Sequence, residues 1–137
     1  MLGGARGLRL PEELHREIAR EAAEAGAAWS AAARELLREA IRARRVPGIA
    51  FASGAEGRQA VLAGTELEVW RVAAAAREGG AALEALRAEH PWLADAQLRA
   101  AQEYAALYPD EIDARIDAAS GRRPRWVQEE LPLVTPG

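Results

Sequence analysis

Hydrophobic and polar residues alternate only briefly at the start of the chain. Leu8 and Leu10 share one face of residues 5–10, and Pro11 suits the first turn of a following helix. Across residues 12–25 the apolar side chains then recur three or four positions apart, which is the spacing of an amphipathic helix. The pattern predicts one short strand followed by one helix.

A second amphipathic helix is predicted a few residues later. Gly26 suits a left-handed C-terminal cap for the first helix, and Ser30 is a favourable N-cap residue for the second. The second helix is expected to run from Ala31 to about Arg45. Its buried stripe is predicted to consist of Ala33, Leu36, Leu37, Ala40 and Ile41.

The pattern changes after a break at residues 46–48. Two apolar runs, residues 49–51 and 59–65, flank the glycine-bearing residues 53–57, and this arrangement predicts a β-hairpin. Helical periodicity then returns, and Asp95 is expected to be the N-cap of the third helix in this part. The predicted helical segments are 67–78, 81–90, 95–108 and 110–119.

The chain is therefore predicted to be mainly α and to have three parts. Residues 1–47 form a strand-helix-helix segment. Residues 48–121 form a small domain of one β-hairpin plus three to four helices, with the character of a helix-turn-helix. Residues 122–137 hold three prolines and no helical period, so we expect a flexible C-terminal tail that does not pack alone.

Several kinds of chemistry lack the residues that they need. The chain has no cysteine, which excludes disulfides, zinc–thiolate sites and thiol catalysis. His15 and His90 are far apart and have no carboxylates at metal-ligand spacing. No stretch approaches the ~20 uncharged apolar residues of a membrane helix, and the start lacks the apolar region of a signal peptide. We expect a non-enzymatic, cytoplasmic protein with no metal or cofactor and no membrane contact.

Charge is distributed unevenly behind a net charge of −3. Residues 1–47 contain nine arginines and seven glutamates, whereas residues 48–121 contain six arginines and twelve acidic residues. A nucleic acid would therefore be attracted to the N-terminal third of the chain, and the acidic second part would repel phosphates.

The N-terminal segment resembles the ribbon-helix-helix repressors in residues 8–14, 26–30 and 36–41. One strand and two short helices cannot close a core alone, but two copies can pair their strands and interlock their helices, so dimerisation is expected to be obligatory. The resemblance implies that the paired strands enter the DNA major groove and that the second helix holds a phosphate at its N-terminus. The expected DNA-contacting residues are Arg6, Gly7, Arg9, Ser30 and Ala31, with Arg9 as the base reader.

The second part looks like the bacterial family catalogued as domain of unknown function 433, whose members resemble antitoxins of PIN-like ribonuclease toxins. The segments that carry this resemblance are residues 59–70, 83–86, 90–93 and 97–105. The family usually has an arginine after its Gly-Thr pair, where this chain has Glu66. The acidic character of this part favours packing or pairing over DNA binding.

Together the two resemblances are those of a VapB-like antitoxin, which binds operator DNA as a homodimer or higher oligomer and neutralises a ribonuclease. The tail is the expected contact with the toxin, because tryptophan and arginine are enriched in binding hot spots. The residues predicted to contact that partner are Arg122, Arg123, Arg125, Trp126, Leu131 and Leu133. The alternatives are a stand-alone dimeric repressor without a toxin and a structural dimerisation adaptor.

Overall fold

A computed structural model describes residues 7–121, and within that range the chain is mainly helical. It contains six helices and one two-stranded antiparallel sheet. The chain divides into two compact units, Met1–Arg42 and Ala43–Gly137. Among the described residues, none of the helices combines the length and the apolar character that crossing a membrane requires.

The first unit contains helix α1 (Glu12–Ala25) and most of helix α2 (Trp29–Arg45). The predicted bounds of α1 are confirmed, although Pro11 is the N-cap of the helix and not a residue of its first turn. Gly26 adopts the left-handed conformation, with φ of 64°, and its N–H lies within bonding distance of the carbonyls of Ala22 and Ala23. A residue with a Cβ would be strained in this conformation, so the sequence places glycine where the helix has to end.

The predicted start of α2 is wrong, because the helix begins at Trp29 and includes Ser30 in its first turn. The Trp29 indole stacks on the His15 ring with centroids 4.4 Å apart, and its Nε1–H donates to the His15 carbonyl at 3.1 Å. These contacts with α1 hold the indole at the first turn. Ser30 therefore does not act as the N-cap.

The core of the first unit is small. Ile18, Ala22 and Ala32 are buried, and the partly buried side chains around them extend along α2 only as far as Leu36. Within one copy, the C-terminal half of the stripe predicted for α2 is not buried: Leu37 and Ile41 are 54% and 55% exposed, and Ala40 is exposed as well. One copy of α1 covers only the N-terminal half of that stripe.

Residues 7–10 precede α1 without regular secondary structure. The strand predicted over residues 5–10 is therefore not formed in the part of it that the structure describes. A strand needs a neighbour to receive its backbone hydrogen bonds, and none of the described residues pairs with this segment.

The second unit begins with the predicted hairpin. Strand β1 (Ile49–Gly54) pairs antiparallel with strand β2 (Gly57–Leu62), with Ile49 opposite Leu62 and Gly54 opposite Gly57. The loop contains only two residues, fewer than predicted, because the flanking glycines belong to the strands. Gly57 permits this tight reversal with a φ of 98°.

Four helices follow the hairpin: α3 (Val69–Glu78), α4 (Gly80–Glu89), α5 (Asp95–Leu107) and α6 (Pro109–Ser120). Asp95 is the first residue of α5 and not its N-cap, which is Ala94. The Gln97 side chain accepts the Ala94 N–H at 2.7 Å, while Asp95 pairs with Arg87 at 2.5 Å. Pro109 begins α6 because its fixed φ and missing N–H suit the first helical position.

One hydrophobic core joins the hairpin to these helices. Tyr104 of α5 is fully buried there, and its hydroxyl lies 2.6 Å from a carboxylate oxygen of Glu111. Val46 is also fully buried in this core. The break predicted at residues 46–48 therefore begins with a core residue of the second unit.

Candidate functional site

An apolar groove of about 500 Å³ lies on the first unit. It runs between the segment before α1, the α1 helix and the N-terminal half of α2. Ten residues line it: Leu8, Leu10, Leu14, Glu17, Ile18, Glu21, Trp29, Ala33, Leu36 and Leu37. We call this the leucine groove. Leu8 is 71% exposed at one edge, so the groove leaves apolar side chains in water.

The leucine groove has the properties of an interface. Contiguous exposed apolar surface is uncommon on monomeric proteins and marks sites of association. Beyond the groove, Ile41 continues the exposed apolar face along α2. The two glutamates of the groove, Glu17 and Glu21, lie on α1 and leave the α2 wall entirely apolar.

Arginines follow a different side of α2. Arg34, Arg38, Arg42 and Arg45 are spaced four, four and three positions apart, so they lie along one side of the helix. The Arg38 guanidinium is 2.7 Å from a carboxylate oxygen of Glu35. None of these four arginines is among the predicted DNA-contacting residues, although their spacing is readable from the sequence.

Four of the five predicted DNA-contacting residues lie in the described part of the chain. Gly7 and Arg9 are exposed in the segment before α1, and an added Cβ on Gly7 would meet no atom within 4 Å. Ser30 and Ala31 lie in the first turn of α2, where backbone N–H groups lack acceptors within the helix. Arg6 lies outside the described residues.

The predicted partner-contacting residues all lie outside the described range, which ends at Gly121. The structure therefore places none of them. They are Arg122, Arg123, Arg125, Trp126, Leu131 and Leu133.

The second unit carries a groove of about 720 Å³ beside the turn that follows β2. Residues 63–67 form one wall of this groove. The rest of its lining consists of Arg71, His90, Trp92 and Gln97. A carboxylate oxygen of Glu89 lies 3.7 Å from the Arg71 guanidinium and 4.0 Å from His90 Nε2. Among residues 7–121, His90 Nε2 is shielded from solvent and has no hydrogen-bond partner. Trp92 contacts His90 edge to face and is 46% exposed. The lining of this groove therefore mixes charged, polar and apolar side chains.

A second groove in this unit, of about 430 Å³, lies between the hairpin and the last turns of α6. We call it the hairpin groove. Its lining residues are Ala52, Ser53, Gly54, Ala55, Glu56, Gln59, Val61, Glu66, Glu68, Trp70, Arg115, Ala118 and Ala119. Three carboxylates thus line this groove with a single arginine.

If the second part is a helix-turn-helix, its recognition helix is the one predicted over residues 95–108, which the structure contains as α5. Leu98, Ala101 and Tyr104 face the core, whereas Arg99, Gln102 and Glu103 are exposed. The exposed side chains nearly balance in charge, because Asp95 at the helix start is already paired with Arg87. This surface offers DNA phosphates little net attraction.

The described residues contain no group of three or more histidine, cysteine, aspartate or glutamate side chains placed to hold a metal ion. The two histidines belong to different units and each contacts a tryptophan, His15 stacking on Trp29 and His90 meeting Trp92.

No protein-family model, curated protein or solved structure matches this chain. The resemblances to ribbon-helix-helix repressors and to antitoxins stay predictions that depend on the residues quoted for them.

Proposed function

We propose that this protein is the antitoxin and operator-binding repressor of a type II toxin–antitoxin pair, and that it neutralises a PIN-like ribonuclease. In this proposal two copies associate through their first units. Their paired N-terminal segments bind operator DNA, and the second unit with residues 122–137 binds the ribonuclease.

The observation that carries this proposal is the open leucine groove. Among the described residues of the first unit, only three are buried in its core, while Leu8, Leu14 and Leu37 remain exposed around it. A second copy placed on the groove would cover these side chains and give each N-terminal segment a strand to pair with. Completion of a core by symmetric pairing is the expected behaviour of a strand-helix-helix unit.

Exposed positive charge near the paired N-terminal segments supports the proposal that they bind DNA. Arg9 is exposed in the segment that would pair between copies, and arginine reads guanine edges in the major groove. The free N–H groups of the first turn of α2 provide a site for a DNA phosphate. Such contacts fix the protein on the duplex without reading its sequence.

The acidic second unit supports the ribonuclease-binding part. A ribonuclease that binds RNA presents positive charge to its substrate, and an acidic partner surface complements that charge. The second unit also keeps Trp92 and Leu107 exposed, which provides apolar contact area outside the leucine groove. Arginines and Trp126 in the C-terminal segment supply the residue types enriched in hot spots.

The proposal is tested by gel shifts with duplex DNA from immediately upstream of the protein's own coding sequence. We expect this duplex to be retarded at lower protein concentration than a shuffled duplex of equal length and composition, at one fixed salt concentration. Equal retardation of both duplexes would remove the repressor function. Failure to retard either at low salt would favour the dimerisation adaptor.

A further inference from the structure

The hairpin groove carries negative charge that the described residues leave unpaired. Neither Glu56 nor Glu66 forms an ion pair or a side-chain hydrogen bond among residues 7–121. The third carboxylate, of Glu68, accepts the Trp70 indole N–H at 2.5 Å. The groove thus presents two free carboxylates and a third that is held in place.

The one arginine that lines the groove already donates hydrogen bonds to backbone carbonyl oxygens. Arg115 Nη2 donates to the carbonyl oxygens of Glu56 and Arg58, each at 3.1 Å. This guanidinium ties α6 to the hairpin turn and leaves the nearby carboxylates without a dedicated cation. The groove can therefore accept further positive charge.

The groove also contains an acceptor that lacks a donor. Gln59 Oε1 is shielded from solvent and has no hydrogen-bond partner among the described residues. The same side chain packs closely on the hairpin, since a Cβ on Gly54 would lie 3.0 Å from its Nε2. A buried acceptor without a partner is costly, so Gln59 gains a hydrogen bond if its side chain turns toward a donor bound in the groove.

The floor of the groove is suited to an arginine stem. Val61 is buried there, Trp70 and Ala119 are only partly exposed, and Ala118 is exposed at the edge. Arginine lays its methylene groups along apolar surface while its guanidinium, with five N–H donors, meets carboxylates and carbonyl-type oxygens. Carboxylates above an apolar floor therefore match arginine better than the compact, strongly hydrated ammonium of lysine.

The chain itself supplies such a segment at the edge of the groove. Ala118 and Ala119 of α6 form one wall, and the helix ends at Ser120. The next cations in sequence are Arg122, Arg123 and Arg125. An extended residue spans about 3.3–3.6 Å. The three arginines follow Ala119 by three to six residues, so the chain is long enough for them to reach the groove.

Attachment to the same chain is what makes this contact effective. Isolated exposed ion pairs contribute little to affinity between separate molecules. A short tether converts the contact into an intramolecular one with an effective concentration on the order of millimolar. The arginines that follow α6 have this advantage over any free basic peptide.

We propose that the hairpin groove binds the arginine segment 122–125 of the same chain. This contact holds the start of the C-terminal segment against the second unit. It concerns the protein alone and does not require a ribonuclease. If the proposed function also holds, the groove competes with the ribonuclease for these arginines.

The test uses paramagnetic broadening, because the full chain contains no cysteine and accepts one label cleanly. A nitroxide is attached to a Gln128→Cys variant, and amide signals are recorded for Val61, Glu66 and Trp70, which line the groove away from α6. We expect these signals to lose most of their intensity relative to the reduced label. The loss should disappear in about 1 M salt, where charges are screened beyond about 3 Å.

Variants locate the contact. Glu56→Gln with Glu66→Gln should restore the groove signals, whereas the matched pair Glu84→Gln with Glu103→Gln, two exposed carboxylates outside the groove, should leave the broadening unchanged. Groove signals that keep their intensity in the wild type would overturn the proposal. So would broadening that survives loss of the two groove carboxylates.

A mixed sample separates contact within one chain from contact between copies. Isotope-labelled chains without nitroxide are mixed with unlabelled chains that carry it. The proposal predicts little broadening of the groove signals in this mixture. Broadening as strong as in the sample whose chains carry both the isotope and the nitroxide would assign the contact to a neighbouring copy and overturn the proposal.

Discussion

At the scale of single residues, Gly26 has the most stringent backbone requirement of the first unit. It ends α1 with a φ of 64° and directs the chain toward α2. An added Cβ would meet no atom within 4 Å, so the cost of a larger residue lies in the backbone conformation alone. This position was predictable from sequence because a cap depends on local geometry.

Gly26→Ala is expected to lower the free energy of unfolding by about 1–2 kcal/mol, the cost of a left-handed conformation for an L-residue. Gly80→Ala is the matched control, because Gly80 lies in the first turn of α4 with open space and no positive φ. Urea unfolding at one fixed protein concentration measures both. Equal effects of the two substitutions would contradict this explanation.

Ser30 illustrates a residue whose role was not predictable locally. Its type favours an N-cap, but the contacts of Trp29 with His15 extend α2 past it. Those contacts join residues 14 positions apart, so the local pattern around Ser30 contains no sign of them. Asp95 was also predicted as an N-cap and is not one. Its carboxylate pairs with Arg87, and the Gln97 side chain accepts the Ala94 N–H at the helix start.

Arg9→Ala is expected to weaken operator binding by about 1–3 kcal/mol, since the proposed function assigns Arg9 to a base edge. Arg99→Ala is the control, because Arg99 is an exposed arginine of the second unit. Gel shifts at fixed salt compare the two with the wild type. If Arg9→Ala binds as the wild type does, the N-terminal segment does not read the operator.

At the scale of elements, the helices and the hairpin followed from periodicity, whereas the burial of α2 did not. Periodicity identifies an apolar face but not the number of copies needed to cover it. Leu37 and Ile41 belong to the predicted stripe and remain exposed, because α1 covers only the first half of α2. The strand predicted over residues 5–10 is a related case, because none of the described residues pairs with residues 7–10.

Leu37→Glu is expected to weaken dimerisation strongly, because burial of a leucine is worth about 1.5–3 kcal/mol and symmetry applies the loss twice. Each 1.4 kcal/mol is roughly tenfold in the dissociation constant. Leu107→Glu is the matched control, since Leu107 is 45% exposed in the second unit and Leu37 is 54% exposed. Dilution series by analytical ultracentrifugation give both constants. Equal weakening by the two substitutions would exclude the leucine groove as the interface.

At the scale of the whole molecule, the chain combines a unit with an incomplete core and a unit with a complete one. The second unit buries Tyr104, Leu62 and Ile112 almost completely. The charge division between the two parts was readable from sequence, whereas the second copy that the sequence predicts for the first unit stays a prediction. The two grooves of the second unit were not, since they are built from side chains up to about 60 positions apart, as the Arg115 bond to the hairpin illustrates.

Removal of residues 122–137 is expected to abolish capture of the ribonuclease and to leave dimerisation and operator binding nearly unchanged. The reason is that the proposed hot-spot residues lie in this segment, whereas the leucine groove and Arg9 lie in the first unit. Co-purification with the ribonuclease compares the full and shortened chains. A shortened chain that still silences the ribonuclease would assign neutralisation to the acidic second unit.

The proposed function requires a second copy of the chain to cover the leucine groove. Sedimentation equilibrium of the full chain at micromolar concentration measures whether two copies associate. We expect a folded species with twice the mass of one chain, which dissociates in the Leu37→Glu variant. A folded monomer at that concentration would rule out this pairing.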